Sequence, residues 1–318
     1  MNASFKKFVK NIVSLAIVAG LGYYLFRNWD TFQAAFDASW YHILGLVFCV
    51  LTTWLLNCLQ SLLLLRQIGV MVGFWENMML QLGMVLGNHL PMRLGSLIRM
   101  RYFKRVHGLE YMQFVGIAGV RSVVILLYSA ILGSIGLIGL KLSEYSLIWA
   151  LFGAILFVLL ITLGSYLIKL FQERQPKNAF LRNRLSEFLT AFEIIQRRPI
   201  LFWQISGLVL MQFATFCMRL SISFDAIHVD LSPWVLLIMA PTTTLISFLS
   251  LTPGNLGLRE WMIGVISLAS GNDFSSGIFA GTVDRAVLLA CTFIFGPAPL
   301  VFIWIRTTRQ MPQYTVHS

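Results

Sequence analysis

The sequence predicts an all-α polytopic membrane protein, in which an inverted-topology repeat with re-entrant or broken helices surrounds a central polar cavity. Of the 318 residues, 58% are hydrophobic and only 12% are charged, against roughly 25% charged in a typical soluble domain. Apolar runs of about 20 residues, the length that crosses a hydrocarbon core about 30 Å thick, recur from residue 11 to residue 305. Two of these runs are interrupted by proline, glycine and polar residues, which lipid alone cannot accommodate.

The predicted elements form a single transmembrane domain over residues 1–318. Its first helix, 11–27, follows Lys6, Lys7 and Lys10 and has no small-residue cleavage site at its end. We therefore expect an uncleaved helix rather than a signal peptide. In chain order, the remaining elements are repeat A at 40–140, a connecting helix at 147–169, a cytoplasmic amphipathic segment at 170–199 and repeat B at 200–305.

Each repeat is predicted to combine apolar spans with one broken segment. The spans are 40–65 and 111–140 in repeat A and 200–224 and 277–305 in repeat B; the broken segments are 75–94 in repeat A and 234–252 with 257–270 in repeat B. The backbone breaks are placed at Pro91 and Gly95 in the first segment and at Pro253, Gly254 and Gly257 in the second. Irregular backbone at membrane depth needs cover from protein or from a water-filled cavity, so both broken segments should line an interior site.

The cytoplasmic segment 170–199 carries apolar residues at helical spacing between Leu181 and Ile195. A helix on the membrane surface, with its Lys and Arg side chains reaching anionic head groups, would have this pattern. A solvated connector that only follows the positive-inside rule would have it too.

The net charge of +11 is explained by membrane topology, because most of the 24 basic residues cluster at the ends of apolar segments on one side. Arg27 and Lys141 lie on the opposite side. This distribution predicts cytoplasmic N- and C-termini and no nucleic-acid partner. It also places Arg66 and Arg99 on the same side, so the segment between them should be a re-entrant hairpin. The segment 234–270 is either re-entrant or membrane-crossing.

The four cysteines all lie within apolar runs, without CxxC or His-paired spacing. Neither a disulfide framework nor a zinc site is indicated. They are interpreted as small packing residues, and we expect no metal and no cofactor. They are Cys49, Cys58, Cys217 and Cys291.

The two halves of the chain share a sequence pattern that repeats at an offset of about 162 to 164 residues. Composition alone would not produce this pattern. Residues 91–95 with Arg99 match residues 253–257 with Arg259. Further on, the helix around Arg121 resembles the helix around Arg285. Three predicted crossings separate the two broken segments, so the copies should enter the membrane from opposite sides, as in transporters whose site lies between two inverted halves.

Four arginines fall within apolar segments: Arg121, Arg219, Arg259 and Arg285. Each costs about 2.5–3.5 kcal/mol at the bilayer centre on insertion scales, so they should point inward. The acids at this depth are Glu260 and Asp284, which leaves surplus positive charge suited to a phosphate or phosphodiester. The partner of Asp284 should be Arg121 or Arg259 rather than its neighbour Arg285. Alternatively, the arginines cap helix ends, bind carbonyls or snorkel.

Several of these motifs together resemble the lysylphosphatidylglycerol synthase transmembrane region, also called the flippase-like UPF0104 family. The matching pieces are residues 88–95 (NHLPMRLG) with Arg99, the Val120-Arg121 helix, residues 253–260 (PGNLGLRE) and Arg285. Two positions depart from the family pattern: Ser96 stands where an acid is frequent, and Asn255 replaces a second glycine. The soluble aminoacyl-transfer domain has no counterpart in these 318 residues, so we do not predict lipid aminoacylation and expect a stand-alone member.

The resemblance implies a membrane domain that binds or moves an anionic lipid, aminoacylated phosphatidylglycerol in the best-known members and lipid-linked or hopanoid intermediates in others. We expect it in the cytoplasmic (inner) membrane of a bacterium or archaeon. The expected partners are an anionic membrane lipid or a polyprenyl-linked intermediate, and envelope-biosynthesis enzymes. The candidate head-group-binding residues are Arg93, Arg99, Arg121, Arg259 and Arg285, supported by Asn88, His89, Asn255, Glu260 and Asp284.

Three functions fit this sequence. The first is a lipid translocase that holds the head group between the repeats while the tails stay in lipid. The second is a membrane-embedded transferase with His89, Glu260 or Asp284 as its reactive group, although no paired-carboxylate motif accompanies them. The third is a non-catalytic scaffold for envelope assembly, whose polar interior should be filled by side chains.

Overall fold

A computed structural model describes residues 39–88, 94–140, 198–249 and 257–309, and within these ranges all regular secondary structure is α-helical. The predicted first helix, the connecting helix and almost all of the cytoplasmic amphipathic segment lie outside the described residues. The helices are α1 (Trp40–Gln67), α2 (Phe74–Asn88), α3 (Leu94–His107), α4 (Tyr111–Gly139), α5 (Pro199–Asp225), α6 (Pro233–Leu249), α7 (Leu258–Ala269), α8 (Phe274–Phe295) and α9 (Pro297–Arg309).

Four of the described helices are long and apolar enough to cross a membrane. Helices α1, α4, α5 and α8 have 28, 29, 27 and 22 residues, with mean hydropathy of 1.9, 2.1, 1.6 and 1.8. Each exceeds the roughly 20 residues that a bilayer core requires. The prediction of an all-α polytopic membrane protein is confirmed.

Helices α2 and α3 form an antiparallel hairpin. At its base, Tyr102 in α3 donates a 2.6 Å hydrogen bond from its hydroxyl to Glu76 in the first turn of α2. At its tip, Gly87 packs directly against Gly95. With 15 and 14 residues, each helix is about 20 Å long, shorter than the roughly 30 Å hydrocarbon core. The hairpin therefore enters and returns, as the charge distribution predicts.

Helices α6 and α7 repeat this arrangement in the second half, with 17 and 12 residues. Pro241 lies inside α6 and cannot donate a backbone hydrogen bond. The next three residues, Thr242, Thr243 and Thr244, each donate from the hydroxyl to the carbonyl four residues earlier. The acceptors are the carbonyls of Ile238, Met239 and Ala240, which follow the Leu237 carbonyl that Pro241 leaves without a backbone donor, and the helix continues through Pro241.

The two halves show the same order of long, short, short and long helices, α1–α4 and α5–α8. Their first helices, α1 and α5, pack on each other and run antiparallel. His42 Nε2 lies 3.0 Å from Asp225 Oδ2 at one end of the pair, and Arg198 donates to Gln67 at the other. Equivalent helices thus point in opposite directions, the relation that an inverted repeat requires.

The prediction of one segment over 277–305 is wrong, because this stretch is divided between α8 and α9. Pro297 has no N–H to continue the α8 ladder, and its ring would clash with the carbonyl of Phe293. Helix α9 instead runs antiparallel to α2, from Gly296 beside Leu86 to Arg306, whose Nη1 lies 3.8 Å from Glu76 Oε1. Between these ends, a Cβ at Gly83 would lie only 2.6 Å from the Ile303 side chain. Helix α9 therefore covers the re-entrant hairpin of the first half.

Helices α7 and α8 approach closely because glycines face each other. A Cβ at Gly277 would lie 2.6 Å from the Cα of Gly264 and 2.7 Å from the carbonyl of Ile263. Small facing residues let two helix backbones come this near within a membrane. The close approach brings the polar first turn of α7 against the middle of α8, where the candidate site lies.

Candidate functional site

A cavity of about 380 Å³ lies between the two halves. Its walls come from α1 and α4 of the first half and from α5, α6, α7 and α8 of the second. Four arginines from four different helices face it. The lining residues are Thr53, Arg121, Ile125, Val209, Gln212, Phe213, Phe216, Arg219, Thr244, Ser247, Arg259, Arg285 and Leu288.

Asp284 on α8 holds two of these arginines. Its Oδ1 accepts a 2.8 Å hydrogen bond from Arg219 Nε and lies 2.7 Å from Nη2 of the same guanidinium, while its Oδ2 accepts from Arg259 Nη2. All three side chains are buried, and the carboxylate is 0% exposed. The negative charge of Asp284 thus links α5, α7 and α8. It neutralises only part of the combined positive charge of Arg219 and Arg259. The sequence predicts Arg121 or Arg259 as the partner of Asp284. The structure shows Arg259 in this contact, and the second partner is Arg219 rather than Arg121.

Phe216 on α5 lies under both of these guanidinium groups. Its ring centroid is 4.8 Å from the Cζ of Arg259 and 5.6 Å from that of Arg219. An arginine over an aromatic face is stabilised by the ring quadrupole. Phe216 therefore supports the two cations from the cavity wall without neutralising their charge.

Arg121 on α4 is held differently, because its described partner is neutral. One terminal nitrogen donates to the side-chain oxygen of Asn57 on α1, and the buried Nε has no protein partner. A buried guanidinium donor without an acceptor is costly unless a ligand or water meets it. Arg121 thus brings both positive charge and unused hydrogen-bonding capacity to the cavity.

Arg285 follows Asp284 on α8 and also faces the cavity, with 8% of its surface exposed. Glu260, in the first turn of α7, is almost completely buried, and its Oε2 accepts a 2.8 Å hydrogen bond from the backbone N–H of Gly257. Gly257 has a φ of 82°, a conformation that favours glycine. Glu260 therefore closes the N-terminus of α7 beside the arginine cluster.

Arg99, which the sequence places among the head-group-binding residues, belongs to a separate cluster outside the cavity wall. It donates from Nη1 to Gln81 Oε1 at 2.8 Å, and from Nη2 to Ser61 Oγ at 2.6 Å and Asn77 Oδ1 at 2.9 Å. The ring of Phe103 lies 5.6 Å from its Cζ. These contacts fasten the α2–α3 hairpin to α1, so Arg99 has a structural role here.

Two further predicted residues organise the tip of this hairpin. The side-chain oxygen of Asn88 accepts hydrogen bonds from both the backbone N–H and the hydroxyl of Ser96, at 3.0 and 3.1 Å. Gly95 lies in the first turn of α3. Arg93, His89, Pro91, Pro253, Gly254 and Asn255 lie outside the described residues.

Sequence reasoning missed the uncharged polar lining. Thr53 and Thr244 donate their hydroxyls to carbonyls of their own helices, which leaves oxygen lone pairs towards the cavity. The amide oxygen of Gln212 accepts from Gln60 Nε2 at 3.0 Å, leaving its amide nitrogen as a donor. Only the position of such residues within an apolar helix could have indicated them.

Together, the antiparallel halves, the re-entrant hairpin and the sheltered guanidinium groups define a class of protein: a polytopic helical membrane protein with an internal cavity lined by arginines. Surplus positive charge in a partly enclosed cavity favours oxyanions such as phosphate. The chain belongs to the lysylphosphatidylglycerol synthase TM region family, which it matches over residues 11–296. It is thus a membrane-integral protein of a family linked to lipid handling. No curated protein and no solved structure matches it.

Proposed function

We propose that this protein is a lipid translocase of the flippase type, located in the cytoplasmic membrane with its N- and C-termini on the cytoplasmic side. The anionic head group of a phospholipid or lipid-linked intermediate enters the cavity and is bound by its guanidinium groups. The hydrocarbon tails remain in lipid. Rocking of one inverted half against the other exposes the site alternately to the two membrane faces.

The single observation that supports this function is the cavity itself, in which Arg121, Arg219, Arg259 and Arg285 face one space between two inverted halves. Four cations at membrane depth carry a large insertion cost, which an anionic ligand offsets. A scaffold protein does not require an internal cavity lined by arginines. For a transferase, the carboxylates of Asp284 and Glu260 are already engaged by two arginines and by a backbone N–H.

The proposal is tested with the full chain in liposomes that contain tail-labelled fluorescent phosphatidylglycerol or phosphatidate. Dithionite bleaches label in the outer leaflet, so the bleached fraction reports transbilayer movement. We expect the wild-type protein to move at least one of these anionic lipids. Arg121→Gln and Arg285→Gln should weaken head-group binding by about 10- to 100-fold, the worth of one charge-assisted contact, while expression persists.

Lys104→Gln is the matched control, because it also removes one positive charge. Lys104 is partly exposed and pairs with Glu110 outside the cavity, so its variant should move lipid as the wild type does. Wild-type rates of transport and binding in both arginine variants would count against the proposal. Absence of movement of either lipid by folded wild-type protein would contradict it directly.

A further inference from the structure

The charge balance of the cavity points beyond a generic anionic lipid, and this inference rests on the proposed function. We infer that the cavity selects a head group ending in a phosphate monoester, which carries two negative charges, over a phosphodiester with one. It also excludes head groups that bear an amine. Phosphatidate and polyprenyl phosphates share the favoured chemistry.

The first step is the count of charges around the cavity. The wall carries the four guanidinium groups of Arg121, Arg219, Arg259 and Arg285, and the carboxylates beside them belong to Asp284 and Glu260. Among the described residues, four positive charges against two negative ones leave two positive charges. A monoanionic phosphodiester would neutralise only one of these, whereas a dianionic monoester neutralises both, in a setting where unpaired charge is costly.

The second step concerns an amine on the head group. An ammonium group needs an acceptor, most effectively a carboxylate. Asp284 is 0% exposed and already binds two guanidinium groups. Glu260 is 1% exposed: its Oε2 accepts from Gly257, and its Oε1, which has no partner among the described residues, is buried in a residue that does not line the cavity. The segments 89–93 and 250–256, which join the short helices of each half, contain no Asp or Glu in the sequence. An aminated head group would therefore add positive charge to an excess of it.

The third step identifies where the second charge is bound. Helix α5 meets α8 through Arg219 and the Asp284 carboxylate, but the equivalent pair in the first half, α1 and α4, meets through Asn57 and Arg121. The guanidinium of the second-half contact meets a carboxylate and that of the first-half contact meets an amide, with the guanidinium on the first helix in one half and on the last helix in the other. The buried Nε of Arg121 has no protein partner. A phosphate oxygen at Arg121 would supply the negative charge that the first half lacks.

The test compares three lipids for binding to the detergent-purified full chain at pH 8.5: dioleoyl phosphatidate, dioleoyl phosphatidylglycerol and lysyl-phosphatidylglycerol. The second pKa of a phosphate monoester is about 6, so phosphatidate then carries nearly two charges. We expect phosphatidate to bind at least about tenfold more tightly than phosphatidylglycerol, the worth of roughly one further charge-assisted contact. The lysyl lipid should bind most weakly. Equal affinities for phosphatidate and phosphatidylglycerol, or preference for the lysyl lipid, would overturn the inference.

Asn57→Asp gives the sharpest variant, because it places a carboxylate against Arg121 with almost no change of volume. The ratio of phosphatidate to phosphatidylglycerol affinity should fall by about tenfold, as the second charge is now met by the protein. The melting temperature should not fall. Gln212→Glu adds a carboxylate on another wall and should lower the ratio in the same direction. Lys104→Gln, which changes net charge at the surface, should leave it unchanged. An unchanged ratio in both cavity variants overturns the inference.

Inorganic phosphate distinguishes a lipid from a free anion as the source of this chemistry. It should compete with phosphatidate at least about tenfold more weakly than a second phosphatidate molecule does, because it buries no hydrocarbon. Equal competition would assign the site to free phosphate and overturn the lipid assignment. If phosphatidylglycerol is translocated and bound as tightly as phosphatidate, the translocase proposal survives and only the dianion selectivity fails.

Discussion

Buried arginines are stabilised in three different ways in this protein. Arg99 is surrounded by neutral oxygens of three side chains. Arg219 and Arg259 share the carboxylate of Asp284, and Arg121 has a single amide. Since charge at membrane depth must be met by hydrogen bonds or opposite charge, the least satisfied arginine is the one most available to a ligand. That residue is Arg121.

The carboxylate of Asp284 should be essential for stability. Asp284→Asn keeps the shape but removes the charge, leaving Arg219 and Arg259 buried without compensation. Breaking one partner of a buried ion pair typically costs about 3–5 kcal/mol. We expect a clear fall in the melting temperature of the purified protein, measured by circular dichroism.

Asp225→Asn is the matched control, because it makes the same chemical change at the end of a helix. The Asp225 side chain is 68% exposed and pairs with His42, and exposed pairs contribute only about 0–1 kcal/mol. Its melting temperature should stay close to that of the wild type. A similar fall in melting temperature in both variants would show that the contacts of Asp284 with Arg219 and Arg259 contribute no more to stability than an exposed ion pair.

At the scale of the elements, the short helices depend on close packing rather than on length. Helices α2 and α3 cannot span the membrane, and glycines let them approach each other at the tip of the hairpin. A Cβ at Gly95 would lie 2.1 Å from the carbonyl oxygen of Met84 and 2.8 Å from the backbone nitrogen of Asn88. Neither atom can yield without moving the helix backbone.

Gly95→Ala should therefore separate the hairpin at its tip. Overpacking of this kind costs about 1–3 kcal/mol, and it also strains the Asn88–Ser96 contacts that close the tip. We expect a lower melting temperature and faster proteolysis near residues 89–93. Gly133→Ala in α4, where an added Cβ meets nothing within 4 Å, should be neutral or slightly stabilising. Equal stability of the two variants would contradict the packing argument.

At the scale of the whole molecule, the halves have the same architecture but different charge. The α5–α8 contact contains a carboxylate and a guanidinium, and the corresponding α1–α4 contact contains an amide and a guanidinium. An inverted repeat with identical halves would offer the ligand two equivalent sites. This asymmetry instead leaves one half with less negative charge than the other, and in the proposed function a single anion would supply it.

The antiparallel arrangement of α1 and α5 predicts that the loops after these two helices lie on opposite sides of the membrane. Met71, after α1, and Ser232, after α5, are both exposed. In a background with the native cysteines replaced, Ser232→Cys should react with a membrane-impermeant thiol reagent in intact cells. Met71→Cys should react only after permeabilisation, because the positive-inside rule places its loop in the cytoplasm.

Labelling after permeabilisation controls for accessibility, since both cysteines should then react. Reaction of both residues from the same side in intact cells would contradict the inverted arrangement. Reaction of Met71→Cys alone would keep the inversion but reverse the orientation in the membrane.

The sequence alone determined the class of protein and, within the described residues, the presence of long apolar spans and of shorter helices between them, because these follow from local properties. The local signals are runs of about 20 apolar residues, prolines at membrane depth and basic residues at helix ends. They indicate spans, breaks and topology whatever the tertiary context. Its error over 277–305 was local too: the high mean hydropathy of this run joined two helices into one segment across the break that Pro297 imposes.

The tertiary structure decided which arginines share the cavity and which acid each one meets. Arg219 and Asp284 are 65 residues apart in sequence, and Arg121 and Asn57 are 64 apart. Helical spacing tells which face of one helix a side chain occupies, but not which helix packs against that face. The internal repeat matches Arg99 to Arg259, yet Arg99 lies outside the cavity wall and Arg259 lines it. Only the packing of helices that are distant in sequence separates a structural guanidinium from one that a ligand can reach.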